Sequence, residues 1–255
     1  MSGDEWFGQR SWGVRFEWGV AGALALAPGS ACVVIVDVLS FTTSVSVAVE
    51  AGTEVIPYPW RNDSAAEFAE RHNAEVAVGR RAVSAQQPWS LSPAALRRAP
   101  TARRLVLPSP NGSAIAAAVA GVPVVAGSLR NADAVAAWIH RQGWGTPELP
   151  VTVIAAGEHW PGQPVLRPAV EDLLGAGAII HGLNQRGASA LSPEALVAEA
   201  SYTDVEIATI VIECSSGREL TEGGFAEDVA IATELDTTDV VPLLVDGVFI
   251  DGRRR

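Results

Sequence analysis

The sequence predicts an α/β protein: a three-layer α/β/α fold around a mainly parallel or mixed sheet, with a C-terminal hairpin. Three observations carry this. Continuous apolar runs of strand length, such as CVVIV at 32–36, are the pattern of strands covered on both faces. At least four such runs lead through a polar turn into a helix-like segment, the rhythm of βαβ units. Near the end, Asp246-Gly247 separates two apolar runs, a strong short-range hairpin signal.

The elements follow in order. In CVVIVDVLSFTTSVSVAVEAG (32–52), a strand ends at Asp37, Thr42, Thr43 and Ser44 are candidate caps, and Gly52 suits a helix end. Residues 61–74 have the spacing of an amphipathic helix. RLVLPSPNGSAIAAAVAG (104–121) repeats the strand-turn-helix unit, with Ser113 at the helix start and Gly121 at its end. VPVVAGSLRNADAVAAWI (122–139) does so again, capped by Asn131 or Asp133. PVTVIAAGEHW (150–160) is the fourth strand, and a Pro/Gly-rich loop delays its helix until AVEDLLGAGAII (169–180). Ser192-Pro193 opens a helical period that runs to Gly217, and 221–236 reads as one more helix. Both chain ends read as loose. The whole, 1–255, reads as one domain, with a two-lobed subdivision near residue 148 as the alternative.

Composition excludes several function classes. The chain of 255 residues carries a formal net charge of −11, which argues against nucleic acid as a partner. All 18 basic residues are arginine. The absence of lysine removes a Schiff-base lysine, the usual pyridoxal-phosphate anchor and a Walker-type phosphate loop. Cys32 and Cys214 form neither a zinc pattern nor a disulfide framework, as expected of a cytoplasmic protein. The apolar stretch at 20–28 follows a net-negative segment, where a signal peptide wants positive charge, and no run has membrane-span length.

In a sheet of this kind ligands sit at the carboxyl ends of the strands. Asp37, the segment 109–113, Arg130 with Asn131, and Glu158 with His159 therefore become candidates for one crevice. A carboxylate at a strand end is suited to a hard cation or to nucleophilic attack, and equally to capping a turn. Leu39 stands where the aspartate-based phosphatases of the haloacid-dehalogenase type carry their second acid, which argues against that mechanism. Asn111, Gly112 and Ser113 combine a close backbone approach with amides at a helix start. Glu171 and Asp172 suit either a helix dipole or a metal. Cys214 and Arg218 lie too close in sequence for a cysteine-phosphatase loop. Acids for a metal, with amides and Arg for an anion, point to phosphate-ester chemistry.

Six blocks taken in order, RFEWG, VVIVDVLSFTTSV, LPSPNGSAI, GSLRNADAV, VEDLLGAGAI and CSSGRELTEGGFAEDVAIATELDTTDVVPLLVDG, resemble the 2-phosphosulfolactate phosphatase family over roughly residues 15 to 250. The resemblance implies a magnesium-dependent phosphatase that splits 2-phospho-3-sulfolactate into sulfolactate and phosphate, on the route to coenzyme M. It matches Asp37, Asn111, Gly112, Glu171, Asp172, Gly217 and Asp228 to the family's blocks. Many members carry Arg where this chain has Ser40, which separates the substrate question from the reaction type.

The expected site is therefore Mg²⁺ held by Asp37, Glu171 and Asp172. A small anionic phosphorylated substrate is bound by Ser40, Thr42, Thr43, Asn111, Gly112, Ser113, Arg130 and Asn131. Asp37, Glu158 and His159 are the candidates for the chemistry. A non-catalytic anion-binding homologue and an aspartyl-phosphate at Asp37 are the alternatives. No membrane partner is expected, and a homodimer is left open.

Overall fold

The computed structural model describes residues 4–59 and 64–254. Its strands are β1 (Val14–Trp18), β2 (Cys32–Val36), β3 (Glu54–Tyr58), β4 (Glu75–Val76), β5 (Arg104–Pro108), β6 (Val124–Gly127), β7 (Val151–Ala155), β8 (Glu158–His159), β9 (Leu166–Arg167), β10 (Pro242–Val245) and β11 (Val248–Asp251). Its α-helices are α1 (Asp4–Phe7), α2 (Gly19–Leu26), α3 (Phe41–Glu50), α4 (Ser64–Arg71), α5 (Pro93–Arg98), α6 (Gly112–Ala118), α7 (Ala132–Arg141), α8 (Val170–Gln185), α9 (Pro193–Tyr202), α10 (Ile207–Glu213), α11 (Ser215–Glu222) and α12 (Ala226–Ala232).

The apolar run at 32–36 is a strand because both of its faces find a core. Val34 and Val36 pack with Val135, Ile139 and Ile179 of α7 and α8. Val33 and Ile35 pack with Ala23, Val45 and Ile115 of α2, α3 and α6. All five residues of β2 are buried, each fully buried Val or Ile being worth roughly 1.5–3 kcal/mol. Helices thus cover both faces, as the sequence predicts.

Nine strands form one sheet in the order β1-β7-β2-β6-β10-β11-β3-β5-β4. The first four are parallel to one another, and so are the last three. The β10–β11 hairpin lies between these blocks, antiparallel to β6 on one side and to β3 on the other. Asp246 and Gly247 both take positive φ (51° and 81°), the primed turn that their sequence predicts. Three antiparallel pairings in succession reverse the second block relative to the first. Twist of roughly 20–25° per pairing, summed over the five pairings from β2 to β5, swings β5 by about 100–125° and so brings it back to within ~55–80° of β2.

Three local expectations are corrected. The period from Ser192 to Gly217 is three helices. α9 stops where Asp204 turns left-handed (φ 58°), and the Cys214 sulfur caps α11 by accepting from the Gly217 amide. The helix over 221–236 is confined to α12, because Gly224 (φ 90°) breaks the chain before it. The segment before β1 is not loose. The Gln9 amide group bonds both the N–H and the C=O of Phe16, and the Arg15 guanidinium donates to the carbonyls of Trp12 and Arg10. Residues 1–3, 61–63 and 255, parts of the predicted loose ends and of the predicted helix at 61–74, lie outside the described residues; α4 forms over the rest of that helix. The apolar stretch at 20–28 forms most of α2 and buries Ala23 and Leu26, and no helix among the described residues is long and apolar enough to cross a membrane.

Candidate active site

Asp37 follows the last residue of β2 and is almost wholly buried. Its Oδ1 accepts from the Phe41 amide at 3.0 Å, at the first turn of α3. Its Oδ2 accepts from the Gly112 amide at 2.8 Å, at the first residue of α6. One carboxylate therefore joins two helix starts and ties the turn after β5 to the end of β2. Gly112 is required there, because a Cβ would press on the Phe41 ring and stand 2.9 Å from Asp37 Oδ2.

Asp37 lines a cavity of about 180 Å³ together with Ser40, Arg80, Asn111, Glu158 and Ser216. Glu158 enters from the start of β8, just after the turn that follows β7. Burial, and then the charge of Asp37, push its carboxyl up to about 7, opposed by a hydrogen bond from Asn111 Nδ2 to its Oε2 at 3.0 Å. A carboxylic acid that holds its proton near neutrality is a general acid in waiting. The Nδ2 contact leaves Asn111 Oδ1 on the other side, buried and without a hydrogen bond among the described residues.

Among the described residues that line it, the cation of this cavity is Arg80, from a short 3₁₀ turn at Arg80–Ala82. Its Nε donates to Asp228 Oδ2 at 2.8 Å, its Nη2 donates to Ser40 Oγ at 2.7 Å, and its guanidinium lies 5.6 Å from the Phe225 ring centre. Asp228, on α12, is buried and also accepts from Ser92 Oγ and the Ala94 amide. That network fixes Arg80 while its Nη1 makes no hydrogen bond among the described residues.

Glu171 and Asp172, in the first turn of α8, do not line the cavity. Asp172 Oδ1 accepts from the Val38 amide (2.7 Å) and Oδ2 from the Gly157 amide (2.9 Å), which pins the turns after β2 and β7 to each other. Burial first, then Asp37 and Glu171, push its carboxyl well above the usual range. Glu171 Oε2 accepts from Cys214 Sγ at 3.2 Å. Burial and then Glu171 raise that thiol to about 11, so it is a packed donor rather than a nucleophile.

The expected metal set of Asp37, Glu171 and Asp172 is not gathered into one group here: among the described residues no three Asp, Glu, His or Cys side chains converge as a metal-holding group. The donor chemistry still fits a hard divalent cation. Asn111 Oδ1 is an orphaned buried acceptor in a cavity that also holds Asp37 and Glu158. Mg²⁺ commonly takes one or two protein oxygens and keeps several waters.

The structure brings Asp37, Ser40, Asn111 and Glu158 together and places Gly112 against them, and it corrects the rest. Arg130 is buried, but its guanidinium turns to Ser46 and Glu50 in the second half of α3 and to Glu234, far along α3 from Asp37. Asn131 spends its amide on Ser128, Ala126 and Val240. Thr42 Oγ1 bonds the Asp37 backbone, Thr43 Oγ1 the Val38 carbonyl and Ser113 Oγ the Leu107 carbonyl; all three are fully buried holders of their turns. The Gly112 amide is taken by Asp37 and is not an anion donor. His159 is exposed and lines a different cavity, of about 160 Å³, with Trp18 and Leu166. Ser109 lies in the segment 109–113 that the sequence points to, whereas Arg80, Leu91, Ser216, Glu219 and Leu220 are lining residues that sequence reasoning missed. Arg80 sits in a pair, Arg80-Arg81, with no periodic or capping signal around it; the buried Asp228 that receives it was the one available clue.

Comparison with known proteins gives a consistent picture. Residues 24–247 match the family model described as 2-phosphosulpholactate phosphatase. A probable 2-phosphosulfolactate phosphatase of Carboxydothermus hydrogenoformans is 29% identical over 224 residues, 87% of this chain and 88% of the relative. Proteins of the same description from a Cyanothece species (28%, 83% and 88%) and from Thermotoga petrophila (27%, 85% and 90%) are similar over nearly the same span.

Proposed function

The chain belongs to the 2-phosphosulfolactate phosphatase family and is a phosphatase acting on a phosphate monoester, and on that premise we propose that it hydrolyses the phosphate ester of a small 2-hydroxy acid with the help of Mg²⁺. The reference reaction is 2-phospho-3-sulfolactate plus water giving 3-sulfolactate plus phosphate. The observation that carries the reading is the shared cavity of Asp37, Arg80 and Glu158, in which Glu158 is raised to about 7.

Arg80 Nη1, with the hydroxyls of Ser40 and Ser216, receives the phosphoryl oxygens. Asp37 and Asn111 Oδ1 would hold the cation, which when bound neutralises phosphoryl charge and acidifies coordinated water. Glu158 gives its proton to the leaving alkoxide as the ester P–O bond breaks. The attacking water supplies the new P–O bond, and its proton restores Glu158 as hydrogen phosphate leaves. Direct attack by water is favoured over an aspartyl-phosphate in this reading, because Asp37 is committed to the cation and to the two backbone N–H groups that hold it.

The test is phosphate release from 2-phospho-3-sulfolactate and from O-phospholactate, with and without Mg²⁺. Turnover of at least one ester that stops on chelation supports the reading. Release unaffected by chelation removes the cation, and no release from either ester removes the reaction.

A further inference from the structure

We propose that this enzyme's substrate carries an apolar organic group, which lies in a second cavity beside the polar one; the inference rests on the phosphatase reading above and specifies its substrate class. The second cavity measures about 480 Å³ and shares Arg80 and Leu91 with the first. It ends on Pro108, the residue before Ser109 of the polar cavity. Its other walls include Ala65, Val76 and Val78. Among the described residues that line it, Arg80 alone carries charge, and Gln87 is the only other polar side chain.

Size and charge point the same way. The polar cavity, at about 180 Å³, holds a phosphoryl group and little more. Pockets for organic ligands run from roughly 300 Å³ upward, and the second cavity reaches that range. Among the described lining residues a second strong anion there would meet Arg80 alone, whose Nε and Nη2 are already engaged by Asp228 and Ser40. Burying an anion without a full set of partners is costly, whereas burying an alkyl or aryl group against Val76, Val78 and Leu91 is favourable. With the phosphoryl group held by Arg80 Nη1 at the junction, the side chain of a 2-phosphonooxy acid runs on between α4 and the segment 76–91.

The test compares non-hydrolysable phosphonate analogues of O-phospholactate and of the O-phosphate of 3-phenyllactate. Binding is measured by calorimetry on the wild type, Ala66→Phe and Val78→Trp. Ala66 lies exposed on α4 and tolerates a larger side chain, so this variant keeps the test open where Val78→Trp does not fold. The phenyl analogue is expected to bind the wild type about tenfold or more tighter than the methyl one. Each folded variant should cut that ratio to about threefold or less, since its new ring occupies the cavity. A wild-type ratio near one overturns the inference. A large ratio that neither folded variant moves also overturns it, since the ring then binds elsewhere. Phosphate release from the two parent esters is measured in parallel. A phenyl preference in binding with no release from either ester upholds the apolar cavity and overturns the proposed reaction alone.

Discussion

The Gly112 amide meets Asp37 Oδ2 at 2.8 Å across 75 residues of sequence. This contact joins the two parallel blocks of the sheet at the carboxyl ends of β2 and β5. It places Asn111, the neighbour of Gly112, beside Glu158, so the position of the candidate acid depends on a glycine in another block.

Gly112→Ala is accordingly expected to cost kcat/KM about a hundredfold or more, with a smaller effect on stability. The new Cβ must displace the Phe41 ring or the Asp37 carboxylate. Steady-state kinetics beside a thermal melt check this; activity within threefold of wild type would show that the turn relaxes freely.

Glu158 sets a pH dependence. The proposed donor is its protonated form, so kcat/KM should fall as pH rises through about 7. Glu158→Gln should lower kcat by about 10²–10⁴ and abolish that limb. The stability sign follows from linkage. Between the usual carboxylate pKa and about 7 the folded state keeps a proton that the unfolded state releases, so this group's cost appears as pH rises through that window. The Gln variant should therefore gain Tm relative to wild type at pH 8, with the difference shrinking towards pH 5. A pH-independent difference would contradict the assignment.

Arg80 and Arg130 separate binding from stability. Arg80→Ala should weaken inhibition by free phosphate and lower kcat/KM by about ten- to several-hundred-fold, a charge-assisted contact being worth roughly 1.5–3 kcal/mol. Arg130→Ala should leave phosphate inhibition unchanged and lower stability by about 2–4 kcal/mol. That variant removes a buried side chain and its charge-assisted contacts to Ser46, to the exposed Glu50 and to Glu234, which Arg97 still holds. The reverse pattern would return Arg130 to the site.

Asn111→Ala should raise the Mg²⁺ concentration for half-maximal activity about tenfold, and Asp37→Asn should raise it more. Glu171→Gln should leave it within about twofold, because Glu171 faces Cys214 rather than the cavity. Titration of activity against Mg²⁺ decides; a dominant effect of Glu171→Gln would restore the expected carboxylate set.

Much of the fold was legible because its signals are local. The strand at 32–36, the Asp246-Gly247 hairpin and the start of α9 at Ser192-Pro193 each depend on a few adjacent residues. Asp37 was legible as the acid at a strand end. Arg80 was not, since its place depends on Asp228, 148 residues away. Arg130 shows the opposite error. Its position after a parallel strand was read correctly, but the direction of its guanidinium is set by Ser46 and Glu50, which no local pattern reveals. The reversed second block was hidden for the same reason, because strand order is a long-range property.

The hairpin at 242–251 has a consequence for synthesis on the ribosome. Every strand that carries a site residue is made long before β10 and β11, yet those two fill the middle of the sheet between β6 and β3. A nascent chain halted before residue 242 would hold two unjoined half-sheets, each with an open inner edge ready to pair with another chain. Closure, and with it the meeting of Asp37 and Gly112, waits until residues 242–251 have been translated. The interval before it arrives is when this protein most needs shielding from its neighbours.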